Sequence, residues 1–150
     1  MERKRILYAE DNSADAELTL SALADMGLRE NVAVVSDGVE ALDYLCHRGN
    51  FAEAKPGLPQ LVLLDLRMPR MDGIATLSAI RNHPCLKTVP VVMLTASNEE
   101  ADLARCYALG ANAYVVKPVT SERFSSAIES VGAFWLGINE PPHQVLAAAM

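Results

Sequence analysis

The segment LVLLDLRMPRMDG, Leu61 to Gly73, decides how the chain folds. Leu61, Val62, Leu63 and Leu64 form an unbroken aliphatic run, which reads as a strand covered on both faces. The run stops on a carboxylate, Asp65. Four other short apolar runs share its character: ILYA (Ile6 to Ala9), VAVV (Val32 to Val35), VVML (Val91 to Leu94) and AYVV (Ala113 to Val116).

The stretches between these runs have helical spacing. Leu18, Ala22, Leu23 and Met26 share one face, Val39, Leu42 and Leu45 another, and Ile74, Leu77 and Ile80 a third. Asp37 with Glu40, and Ser97 with Glu100, fit the capping box. Gly27 and Gly110 follow helical patterns, where glycine most easily adopts a left-handed stop. A last helix is predicted from near Thr120 through Phe124, Ile128 and Val131 towards Trp135. Strictly alternating strands and helices imply an α/β fold: a five-stranded parallel sheet with helices on both faces, in the order 2-1-3-4-5 of flavodoxin-like folds. The polar stretch from His47 to Gln60 reads as a surface loop.

Composition narrows the functional classes. The chain has 150 residues, 51 % of them hydrophobic, enough for one domain with a real core. Its net charge of -6 argues against a nucleic-acid binder, and the only basic cluster is Arg3, Lys4 and Arg5. Cys46, Cys85 and Cys106 are widely spaced with no CxxC, which suggests reduced thiols in a cytoplasmic protein. No apolar run approaches the length of a membrane span, and the N-terminus does not read as a signal peptide. His47, His83 and His143 show no metal or triad spacing and read as surface or loop residues.

In an open α/β sheet the ligand site lies beyond the C-terminal strand ends, where the strand order reverses. Here that point falls between the first strand, which ends on Glu10 and Asp11, and the third, which ends on Asp65. Three close carboxylates repel one another unless protons or a cation intervene, and a hard divalent cation such as magnesium suits oxygen donors. Thr95 ends the fourth strand, and Lys117, then Pro118, follows the fifth. Three acids, a hydroxyl and an ammonium suit a phosphoryl group bridged to magnesium. Taken singly, an acid at a strand end is most often a cap, Asp72-Gly73 a turn or helix start, and Lys-Pro nothing at all. The combination at separate strand ends carries the reading.

These residues, Glu10-Asp11, Asp65 within DLRMPRMDG, Thr95-Ala96 and Lys117-Pro118, closely resemble the receiver domains of two-component response regulators. The resemblance covers about residues 4 to 136. It implies that Asp65 is the phosphoacceptor for a histidine kinase or a histidine phosphotransfer protein. It also implies that Asp11, Asp65 and the backbone carbonyl of Arg67 bind Mg2+, with Glu10 helping through water. By the same resemblance, Thr95 and Lys117 are expected to contact the phosphoryl oxygens, the Lys117–Pro118 bond to be cis, and Tyr114 to move inward with Thr95 on activation. Arg67 and Ser97 occupy positions that tune hydrolysis of the aspartyl phosphate. Glu10 stands where many relatives have aspartate.

The expected organisation is a receiver domain over 1–138 and a tail over 139–150, with no output domain. Phe134, Leu136 and Ile138 are candidates for a dimer surface, against the plainer reading of a buried helix end. The FWL run, Phe134 to Leu136, and the prolines after it resemble the single-domain regulators paired with phytochrome-type kinases, which implies a homodimer. Val145 and Leu146 either dock on a partner chain or stay disordered. The expected role is a phosphorylation-controlled signalling switch that catalyses only its own phosphotransfer and dephosphorylation. A constitutive adaptor or dimerisation module on the same fold is the first alternative. A flavin-binding electron carrier is the second, and it requires a phosphate-binding loop where EDNSAD is acidic.

Overall fold

The computed structural model describes residues 5–53 and 57–142. The five strands are β1 (Ile6–Ala9), β2 (Val32–Val35), β3 (Leu61–Leu64), β4 (Val91–Thr95) and β5 (Ala113–Val116). The helices are α1 (Ser13–Asp25), α2 (Gly38–Leu45), α3 (Gly73–Asn82), α4 (Glu100–Ala108) and α5 (Ser121–Gly132), and Ala133–Ile138 continues α5 as a π-helical segment. All strands are parallel, in the order β2-β1-β3-β4-β5.

Side chains alternate across the sheet and build two cores. Leu7, Ala9, Val62, Leu64, Val91 and Met93 face Ala41 and Leu45 of α2, Leu77 and Ile80 of α3, and Cys106 of α4. Ile6, Tyr8, Leu61, Leu63, Val92 and Leu94 face Ala22 and Leu23 of α1 and Phe124 and Ile128 of α5. The central strands β1 and β3 are therefore buried at every position. Each fully buried leucine or isoleucine there contributes roughly 1.5–3 kcal/mol, which makes these strands the centre of stability.

Helix starts follow local chemistry. The side chains of Asn12, Asp37, Asp72 and Thr120 accept the first-turn N–H groups of α1, α2, α3 and α5. Glu40 reaches back to the Ser36 N–H at 2.7 Å, one residue before the position a strict capping box uses. α4 differs from expectation. It begins at Glu100, so Glu99 and not Ser97 holds the cap position, with no side-chain cap; the Ser97 hydroxyl accepts from the Glu99 N–H at 3.3 Å and donates to Asp102 at 2.6 Å. On α2, Ala41 and Leu45 are buried while Val39 and Leu42 are only half-buried.

The β3–α3 loop is pinned from two sides. Arg70 donates to the buried Asp37 carboxylate at 2.8 Å, and the Gly38 N–H donates to the Met71 carbonyl at 3.1 Å. Burial pushes the Asp37 carboxyl up, but the Arg70 guanidinium and backbone N–H groups outweigh it and hold the carboxyl below its usual range. Arg3, Lys4, Pro56, His143, Val145 and Leu146 lie outside the described residues. No helix among the described residues is long and apolar enough to cross a membrane.

Gly73 is needed for close approach. A Cβ there would collide with the Asp65 carbonyl oxygen and lie 2.8 Å from the Leu66 Cα. Gly73→Ala is expected to cost about 1–3 kcal/mol in urea unfolding, since backbone and not a flexible side chain must yield. Unchanged stability would contradict this packing.

Candidate phosphoryl-transfer and cation site

Parallel register brings the acids together. Ala9 of β1 pairs with Leu64 of β3, so the next residues, Glu10 and Asp65, leave the sheet side by side. The Asp65 N–H donates to the Ala9 carbonyl and the Glu10 N–H to the Val35 carbonyl, which fixes both exits. Thr95 pairs with Val116, and the Lys117 N–H donates to the Thr95 carbonyl at 2.7 Å. The structure thus gathers Glu10, Asp11, Asp65, Thr95 and Lys117 at one edge. Glu10, Asp65 and Thr95 are buried, and Asp11 is exposed.

Lys117 organises the acids. Its Nζ lies 2.7 Å from Glu10 Oε1, 2.8 Å from Asp15 Oδ2 and 3.5 Å from Asp65 Oδ2. Burial works to lower the ammonium's pKa, but the hydrogen bonds to Asp15 and Glu10 overcome it and raise the pKa above its usual value. Glu10 Oε1 also accepts from the Tyr8 hydroxyl at 3.2 Å, and Oε2 accepts from the Asn12 N–H at 3.3 Å. Burial, then the neighbouring Asp65 carboxylate, pushes the Glu10 carboxyl up to about 7 despite Lys117. Tyr8 is itself held by Thr19 at 3.0 Å, and burial, then the Glu10 charge, raises its phenol well above the ordinary value.

Asp15, Tyr8 and Thr19 are the site residues that strand-end reasoning missed. A signal for Asp15 was available. Asn12 and Asp15 have N-cap and N3 spacing, and the Asp15 N–H does donate to Asn12 Oδ1 at 3.0 Å. That cap fixes the first turn of α1 beside the acids. Tyr8 and Thr19 carried none, since Tyr8 sits in a plain apolar run and nothing in the pattern around Thr19 singles it out.

The other expected residues fall into place unevenly. The Ser97 N–H donates to Thr95 Oγ1 at 3.2 Å, and the Ser97 carbonyl accepts from the Tyr114 hydroxyl at 2.9 Å, with the ring half-buried against the core. Arg67 is exposed and lines a cleft of about 520 Å³ together with Asp11, Met68, Asp72 and Asp102. The Lys117–Pro118 bond is not cis: no cis peptide occurs among the described residues. Trans is the intrinsically favoured form of an X–Pro bond, and the lysine reaches all its carboxylates from it. Phe134 and Ile138 are exposed, but Leu136 packs half-buried against the α1–α5 core, and its carbonyl accepts from Arg5 at 3.0 Å.

The donor set fits a hard divalent cation. One oxygen from each of Glu10, Asp11 and Asp65 lies within 4.8 Å of the others. All are carboxylate oxygens, the donors magnesium favours, and Asp11 also lines the cleft beside them. Thiolate or imidazole donors are not among them.

The elevated Glu10 pKa has a testable sign. Between about pH 4.5 and 7 the folded protein holds a proton there that the unfolded chain has released. This contribution to metal-free stability is complete below about 4.5 and is lost as pH rises through 7. Urea unfolding in chelator from pH 5 to 8 is expected to show that decline in the wild type and a flatter profile in Glu10→Gln. Identical profiles would contradict the assignment.

The family model described as the response regulator receiver domain matches residues 6–129. The probable methanogenesis regulatory protein FilR2 of Methanothrix harundinacea is 40 % identical over 138 residues, covering 91 % of this chain and 86 % of its own. The phosphorylated cyanobacterial phytochrome response regulator RcpA superposes with a TM-score of 0.87 at 37 % identity, covering 95 % of this chain and 100 % of that one. The Mn2+-bound form of response regulator Rcp1 gives a TM-score of 0.86 at 32 % identity, covering 93 % and 99 %. The chain belongs to the response regulator receiver domain family, whose members are phospho-accepting switches of two-component signalling.

Proposed function

We propose that this chain takes a phosphoryl group on Asp65 from a phosphohistidine of a partner kinase or phosphotransfer protein, with magnesium held by Glu10, Asp11 and Asp65. The observation that carries the reading is the convergence of those three carboxylates with the Lys117 ammonium at the C-terminal edge of the sheet. An Asp65 carboxylate oxygen attacks phosphorus, the P–N bond breaks, and the imidazole leaves. Magnesium, when bound, supplies charge neutralisation between attacking carboxylate and phosphoryl oxygens. Lys117 shifts from the carboxylates to a phosphoryl oxygen, and the Thr95 hydroxyl donates to another. The Arg67 carbonyl would help those carboxylates hold the metal, and Arg67 and Ser97 would set how readily water reaches the phosphoryl group.

A route for the signal lies in residue 97. Its N–H binds the Thr95 hydroxyl and its carbonyl binds the Tyr114 hydroxyl, so a displaced Thr95 moves the acceptor that holds the tyrosine. Leu103 and Tyr107 of α4 and Val116 of β5 are exposed on two elements that pack against each other, and form the output surface of this reading. The similarity to RcpA supports a phytochrome-type kinase as the phosphoryl source. Exposed Phe134 and Ile138 support self-association through the end of α5. The Mn2+-bound relative supports a divalent cation.

Native mass spectrometry with a small acyl-phosphate donor tests the reading. The wild type is expected to gain one phosphoryl group in magnesium and none in chelator. Asp65→Asn is expected to gain none, and Lys117→Met to gain it far more slowly. A folded wild type that stays unmodified, even when its phosphorylated kinase is supplied, would point to the constitutive adaptor instead. The same spectra give the dimer fraction with and without phosphate.

A further inference from the structure

We infer that Asp15 is a positioning residue for the cation site: it holds the Lys117 ammonium off Asp65, so that the phosphoacceptor stays open to a divalent cation. The inference rests on reading Glu10, Asp11 and Asp65 as that site. An ammonium has three donors. Here they are spent unequally, on Glu10 at 2.7 Å, on Asp15 at 2.8 Å and on Asp65 only at 3.5 Å. Lys117 is nearly buried while Asp15 remains partly open, with side-chain exposures of 8 % and 28 %. The ammonium is therefore anchored on one side by an acid that lies outside the convergent trio.

The geometry sets a competition. An internal ammonium and an incoming divalent cation both seek the Asp65 carboxylate. While Asp15 takes one N–H, the ammonium sits at the flank of the cluster. Without Asp15, that donor is free to close on Asp65, which then carries an internal counter-ion that the metal must displace. The anchor is itself fixed, because Asn12 caps the first turn of α1 through the Asp15 N–H. Asp15 thus acts through Lys117 and not as a ligand.

Calorimetric Mg2+ titrations test this, on proteins whose fold is checked by circular dichroism. Asp15→Asn, nearly isosteric, is expected to weaken Mg2+ binding by about threefold or more, the scale of one partly exposed charge pair. Asp15→Glu, which keeps the charge, is expected to restore most of the loss. The deciding comparison is the same Asp15→Asn change in a Lys117→Met background, or in Lys117→Gln should the first not fold. With no ammonium to hold, the effect is expected to shrink to a small residue of long-range attraction. Equal losses with and without Lys117 would show that Asp15 is only a distant charge and would overturn the inference. No loss in Asp15→Asn would overturn it as well. A wild type that binds no Mg2+ would overturn the cation-site reading itself, which separates the two failures.

Discussion

The structure depends on like charges being forced together. Parallel register carries Glu10 and Asp65 out of adjacent strands at the same level, next to Asp11. The backbones that carry Glu10 and Asp65 cannot move apart, because β1 and β3 are buried and paired along their length. The protein meets the repulsion with one ammonium. Lys117 reaches Glu10, Asp15 and Asp65 from the end of β5 and is nearly buried among them. Even so, Glu10 remains reluctant to ionise, because burial and Asp65 act on it together. A site under this tension has a standing affinity for added positive charge, which is what cation-assisted phosphoryl chemistry requires.

Much of this was legible because parallel strands announce themselves. Buried on both faces, they appear as aliphatic runs, and the bounds of β1, β2, β3 and β5 coincide with runs visible in the sequence. β4 extends one residue further, to Thr95, since that hydroxyl-bearing residue still pairs with Val116. The strand order then placed Glu10, Asp11, Asp65, Thr95 and Lys117 at one edge by topology alone. What pattern could not supply was side-chain direction. Ser97 fits a cap by spacing, yet its hydroxyl turns to Asp102. Leu136 was grouped with Phe134 and Ile138, but the π-helical segment after Gly132 shifts the phase of the chain and turns it to the core.

Asp15 and Tyr8 show the same limit from the functional side. Asp15 reads as one more acid in a polar turn, and its partner lies 102 residues away. Tyr8 reads as a core aromatic, and it is one, but its hydroxyl supports the Glu10 carboxylate from beneath. Both roles exist only once α1 packs beside β1 and the end of β5 comes across. The Lys117–Pro118 bond is a third case. Family resemblance implied cis, while the observed trans bond still delivers the ammonium to the acids.

Asp65 imposes electrostatic tension which a cation relieves. Thermal unfolding of wild type and Asp65→Asn, each in chelator and in magnesium, measures it directly at neutral pH. Asp65→Asn is expected to be more stable than wild type in chelator, and magnesium to stabilise the wild type far more than the variant. A less stable Asp65→Asn in chelator, with equal responses of both proteins to magnesium, would contradict it.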